Sequence, residues 1–170
     1  MEHPNVVHWD DVAVLDREKG ELKSRRRLLG EAAGTAECGL SLWEIAPGYR
    51  STPVHVHADE EEIFYVLRGS GLSWQDGRTF RVQAGDCLVH RIGEEAHTLI
   101  AGDDGLDVLA FGEGSTTSLT HLPRAQTMWV APHWVPVDGP HPFKAEAAAG
   151  PLEIPAPEAD TASPAALRGR

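Results

Sequence analysis

An all-β fold is what this sequence predicts, a sandwich or barrel of short strands, and three observations predict it. Glycine (17) and proline (12) recur at short intervals along the 170 residues, and no long segment keeps a helical period. Between those breaks apolar residues alternate with polar ones, as half-buried strands require. Asp76-Gly77 sits between two such runs, and this residue pair tolerates the positive φ angles of a type I′ hairpin turn.

Taken in order, residues 38–45 (CGLSLWEI) form a strand that ends at the Pro47-Gly48 turn. Residues 62–67 (EIFYVL) form a second, closed by Gly69-Ser70-Gly71. Residues 72–75 and 78–82 flank the hairpin turn, with Leu72, Trp74, Phe80 and Val82 alternating against polar neighbours. Ala84-Gly85-Asp86 turns the chain into a strand at 87–92, and Gly93-Glu94-Glu95 turns it into one at 97–101. The run from Gly102 to Gly105 is expected to make a further turn, leading into 106–111. The expected domain therefore spans 31–125, with an N-terminal arm at 1–30 and, at 126–170, a C-terminal arm running into a flexible Ala/Pro-rich tail.

Composition narrows the function. Lysine and arginine total 15 against 26 acidic residues, a net charge of −11. Affinity for a phosphate backbone comes mostly from positive surface, so neither nucleic acid nor an anionic membrane is an expected partner. No apolar run approaches the ~20 residues that cross a bilayer as a helix. The start, MEHPNVVHWDD, lacks a basic and apolar leader, and Cys38 and Cys87 form no Cys-x-x-Cys pair. The expected compartment is the cytoplasm. Basic residues bunched at 23–27 read as a solvated hairpin, with an anion site as the alternative.

The chemistry-bearing stretch follows Gly48. His55 and His57 are two residues apart, so on a strand both imidazoles point to one side. A short acidic turn then brings Glu62 to the head of the next strand, expected to be adjacent and antiparallel. Two imidazoles and a carboxylate that converge suit a divalent transition metal. His97, just beyond the Gly93 turn, can enter the same cavity if the strands pair as the turns suggest.

These residues resemble the cupin superfamily. Its first motif is met by His55, His57, Glu62 and Gly69, with one extra residue between Gly48 and His55. Its second is met in frame by Gly85, Gly93 and His97. It is departed from at Arg91, where the motif has proline, at Ala101, where it has asparagine, and by one extra residue before His97. The resemblance implies a jelly-roll β-barrel with N- and C-terminal arms. It also implies one divalent metal (Fe, Mn, Ni or Zn) held by His55, His57, Glu62 and His97, with two coordination positions left open. No catalytic residue is assigned beyond those ligands.

Several other residues are candidates for lesser roles. Phe64 and Val66, on the Glu62 side of their strand together with Arg68, are candidate pocket-lining residues, as is His90. Tyr49 and Arg50 are expected at the rim or the surface, and Cys87 as a small buried residue. Glu60 and Glu61 are expected in solvent, with a general base for the isomerase reading as the alternative. The aromatic-basic stretch with His121, Arg124, Trp129, His133 and Trp134 is expected to pack on the barrel or on a partner subunit. Exposed barrel edges together with the apolar runs 5–9 and 129–137 predict a homodimer. The expected function is that of a metal-dependent enzyme, dioxygenase-like, acting on a small organic molecule. The alternatives are a metal-dependent isomerase or epimerase and a non-catalytic small-ligand-binding module.

Overall fold

The structure, a computed structural model, describes residues 5–113, 118–135 and 141–156. Its strands are β1 (Leu15–Lys19), β2 (Leu22–Arg27), β3 (Cys38–Ile45), β4 (Val56–His57), β5 (Glu62–Gln75), β6 (Arg78–Gln83), β7 (Cys87–His90), β8 (His97–Glu113), β9 (Leu119–Leu122), β10 (Thr127–Val130) and β11 (His133–Val135). Two short helices join them, α1 (Leu29–Ala32) and α2 (Pro142–Ala148). The first sheet runs β1-β2-β3-β8-β5-β6, with β7 also on β5, and the second runs β11-β10-β9-β4. All named pairings are antiparallel. The two sheets enclose one cavity, which makes the molecule a jelly-roll β-barrel.

Local signals set several elements as expected. The strand β3 has the bounds that its alternation gives. The hairpin between β5 and β6 turns at Asp76 (φ 44°) and Gly77 (φ 85°), both positive as a type I′ turn demands. Inward-facing side chains of β3, β5, β6 and β8 form the core, with Trp43, Ile45, Phe64, Val66, Leu106 and Val108 among them.

Other boundaries fall differently. Gly69-Ser70-Gly71 does not end a strand, and residues 102–105 do not reverse the chain. β5 and β8 run straight through, and their register jumps from Gly69↔Leu106 to Gly71↔Ala101. Residues 102–105 of β8 thus stand opposite the single Ser70, and the three extra residues are absorbed as a bulge. Glycine is what allows it. A Cβ on Gly69 (φ +81°) would run into the Gly105 carbonyl oxygen, and one on Gly71 into that of Ile100. Gly69→Ala should therefore cost about 1–2 kcal/mol for the left-handed backbone and about 1–3 kcal/mol more for overpacking. Urea unfolding that reports a loss under about 1 kcal/mol would show that the two strands part freely here.

The arms, too, are more structured than expected. β1 and β2 extend the first sheet through the β2–β3 pairing, so residues 15–27 belong to the barrel. Residues 127–135 pair within the chain's own second sheet, while Val6 and Trp9 stay exposed. Residues 150–155 lie along the barrel instead of hanging free. Arg124 donates to the Gly150 carbonyl (2.6 Å), Trp74 Nε1 to that of Glu153 (3.1 Å) and Thr79 to that of Pro155 (2.9 Å). The tail beyond residue 156 lies outside the described residues. No helix among them is long and apolar enough to cross a membrane.

Two single-residue expectations are also corrected. Cys87 is exposed, because alternation along β7 turns Leu88 and His90 inward and Cys87 and Val89 out. Arg50 is 2% exposed, held in an ion pair with Glu146.

Candidate metal centre

His55, His57 and Glu62 converge, but not as neighbours in one sheet. β4 pairs with β9, placing His57 opposite Thr120, while β5 belongs to the first sheet, where Glu62 lies opposite His90. His55 is tied to the first sheet through a two-way backbone bridge with His97, the N–H···O distances being 3.1 and 2.8 Å. The His-x-His segment thus crosses from one sheet to the other, and its two rings stay on one side, 5.0 Å apart between centroids.

The three imidazoles are oriented alike. His55 Nδ1 lies 2.9 Å from the Pro53 carbonyl and His97 Nδ1 3.1 Å from that of Glu95, so each donates there. His57 Nδ1 is 3.0 Å from Glu60 Oε1 and 3.2 Å from Thr120 Oγ1. With each Nδ1 engaged, each Nε2 is directed at one atom, Glu62 Oε2, at 3.6 Å from His55, 3.6 Å from His57 and 3.0 Å from His97. His57 Nε2 is buried without a hydrogen-bond partner. Imidazoles pinned through one nitrogen, with the other facing a carboxylate, are arranged as metal ligands are.

The donor atoms of His55, His57 and Glu62 all lie within 4.8 Å of one another, close enough to share an ion. His97 stands beside this group through its contact with Glu62. The electrostatics agree. Burial works against the charge on Glu62, yet the three imidazoles facing it, His55, His57 and the hydrogen-bonded His97, hold its carboxyl well below the usual carboxylate range. Burial likewise opposes charge on His57, but Glu60 and Glu62 together outweigh it and raise the ring to about 10. Burial lowers His55. The site therefore favours a cation between its carboxylates.

A cavity of about 530 Å³ opens from this cluster. His55, His57, Glu62 and Phe64 line it, as do Trp129 and Trp134 of the second sheet and Phe143 of α2. Val66 and His90 do not. Val66, 1% exposed, is packed into the core below. His90 lies behind His97, its ring stacked on it at 3.7 Å and 3°, and burial, then the neighbouring His97, lowers it to about 3. Arg68 is turned out by the register shift after Val66, its side chain 76% exposed.

Sequence reasoning missed four contributors. Glu60, expected in solvent, has a side chain only 12% exposed and holds His57. Thr120 backs the same ring. Arg26 and Arg17 line the cavity, although their stretch reads as a solvated hairpin. The available signal was the alternation Leu22, Ser24, Arg26, which puts all three on the inward face.

Comparison with known proteins agrees with this architecture. The cupin domain family model matches residues 41–111. An oxalate-binding protein of Thermotoga maritima is 30% identical over 92 residues, covering 54% of this chain and 75% of that protein. The polyketide cyclase RemF from Streptomyces resistomycificus superposes with a TM-score of 0.57 at 27% identity, covering 68% of this chain and 80% of that one. A sugar phosphate isomerase from a cupin superfamily, from Silicibacter pomeroyi, superposes at 0.65 with 21% identity over 72% of this chain and 84% of its own, a likeness of fold.

Proposed function

The chain belongs to the cupin superfamily, and on that premise we propose that it is a metal-dependent enzyme that oxidises a small organic molecule in the barrel cavity, in the manner of a dioxygenase. The observation that carries this reading is the aim of three imidazole Nε2 atoms at one Glu62 oxygen while each Nδ1 is tied elsewhere. His55, His57 and Glu62 would hold the ion, with His97 as fourth ligand. Bound there, iron, manganese, nickel or zinc supplies Lewis acidity and, for a redox-active ion, electron exchange with dioxygen.

The chain's own residues supply the rest. Pro53, Glu95, Glu60 and Thr120 fix the ligand rings, and Trp129, Trp134 and Phe64 give the substrate an apolar wall that keeps water away. Oxidation is preferred to isomerisation because the latter needs a free base to move a proton. Among the described residues both carboxylates that line the cavity are already engaged, Glu62 by three imidazoles and Glu60 by His57, and His141, the further imidazole on the cavity, caps α2 by accepting from the Phe143 N–H. A second reading, ligand binding or Lewis-acid chemistry without redox, is favoured by the relatives, one named as an oxalate-binding protein and one as a polyketide cyclase.

Elemental analysis of purified protein should find about one divalent transition metal per chain. Fe²⁺-loaded protein should then consume dioxygen with a panel of small phenols, diketones and aromatic acids, while Zn²⁺-loaded protein stays inert. Anaerobic turnover supported by Zn²⁺ would move the assignment to Lewis-acid chemistry. Binding without product under any metal would make the protein a ligand-binding module, and failure to take up any metal would overturn the proposal.

A further inference from the structure

Beside the histidine–carboxylate cluster, the cavity holds a cation that has no counter-ion among the described residues. Arg26 lies opposite Trp43 in the β2–β3 pairing, and its guanidinium stacks over that indole at 4.7 Å. Ser41 Oγ accepts from both its Nε (3.1 Å) and its Nη2 (3.0 Å), so one hydroxyl fills one fork of the guanidinium. Nη1 and the outer Nη2 hydrogen have no partner among the described residues, leaving the other fork vacant. Arg17 lines the same cavity, its guanidinium carbon 5.0 Å above the Phe143 ring, and it too forms no ion pair among the described residues.

This vacancy is not general to the chain. Arg27 is paired with Glu44, and Arg50 and Arg124 are both paired with Glu146. Arg26 is half-buried, and a cation drawn partly out of water without an anion is costly. The acidic groups nearest the cavity, Glu60 and Glu62, are held by the imidazoles. Stacking on one face and a hydroxyl on one edge hold the Arg26 plane in place, so the two donors of its vacant fork are presented in fixed, parallel geometry. That is the geometry a planar carboxylate accepts. Trp43, Phe64, Trp129 and Trp134 around it suit an aromatic or otherwise apolar body.

We propose that Arg26, supported by Arg17, is the anchoring subsite for a carboxylate of the substrate, which makes that substrate a small organic acid with an apolar or aromatic body. The inference rests on the cavity being the ligand site proposed above. Arg26 acts here as a specificity-determining residue, and the carboxylate it holds keeps the rest of the molecule within the cavity shared with His55, His57 and Glu62.

Binding of three probes, phenylacetate, phenylacetamide and phenyl phosphate, tests it by calorimetry on metal-loaded and metal-stripped protein. Phenylacetate should bind at least about tenfold more tightly than the neutral amide. Arg26→Gln should abolish that preference while leaving metal content, melting temperature and amide binding as they were. Arg17→Gln should weaken the acid by a smaller factor, and Arg26→Lys should restore only part of the preference because an ammonium lacks the fork. Equal affinity for acid and amide, an undiminished preference in Arg26→Gln, stronger binding of phenyl phosphate, or no binding of any probe up to about 10 mM would overturn the assignment. Since turnover is not read, a protein that took up no metal would sink the enzyme reading and leave the Arg26 result standing.

Discussion

His57→Ala should lose metal affinity by at least about a hundredfold, since even the groups that orient a ligand are worth about 10–100-fold and His57 is placed to be a ligand itself. The purified variant should contain far less than one metal per chain, and adding metal should no longer raise its melting temperature. In the wild type, metal at a hundred times its dissociation constant should add about 2.7 kcal/mol to stability. The metal-free barrel should stand without the imidazole. β4 is held to β9 by backbone pairing at Val56 and His57, and the His55–His97 bridge is likewise made by the backbone. The substitution also removes a buried Nε2 that has no partner. Glu60→Gln and Thr120→Val serve as graded controls, keeping the ring but loosening its orientation. A His57→Ala protein with full metal content would show that His55, Glu62 and His97 suffice. One whose metal-free form unfolds would show that the histidine is structural.

The centre was legible in the sequence because its chemistry is written in short spacings. His55 and His57 fall on one side of an extended segment, and Glu62 follows within a single turn. Turns that depend on local backbone preference were equally legible, as at Asp76-Gly77. What depends on long-range pairing was not. Nothing near Gly69 announces that residues 102–105 will bulge out opposite Ser70, because the contact joins positions far apart in the chain. The second sheet escaped for the same reason. β4 is only two residues long and finds its partner in β9, across the whole first sheet. Charged residues were the least legible. Arg26 and Glu60 each have a charged neighbour that does face solvent, Arg25 and Glu61, and only tertiary structure separates the inward one from it. The run 129–137, apolar and without a place in the motif, was expected to pack on the barrel or on a partner subunit, and Trp129 and Trp134 do wall the cavity of their own chain.

Glu146→Ala should destabilise the protein by about 3–5 kcal/mol, the usual effect of breaking a buried ion pair from one side. The Glu146 side chain is wholly buried, with Oε1 2.8 Å from Arg50 Nη1 and 3.3 Å from Arg124 Nε. Removing the carboxylate leaves the Arg50 side chain, 3% exposed, with only Glu21 at 3.2 Å, and Glu21 is itself 43% exposed and so partly screened by solvent. Arg124 keeps its bond to the Gly150 carbonyl. The pair also fixes α2, whose Phe143 forms part of the cavity wall. Losing it should therefore loosen the wall as well as lower the melting temperature, and probe binding in the cavity should weaken in parallel. The double substitution Arg50→Met with Glu146→Met separates the two causes. If the loss in Glu146→Ala comes from a stranded guanidinium, the apolar pair should recover most of the stability, because matched hydrophobic side chains replace buried ions at little cost. If α2 is held by its packing instead, Glu146→Ala should melt within a few degrees of the wild type, and the ion pair would then be incidental to the position of the wall.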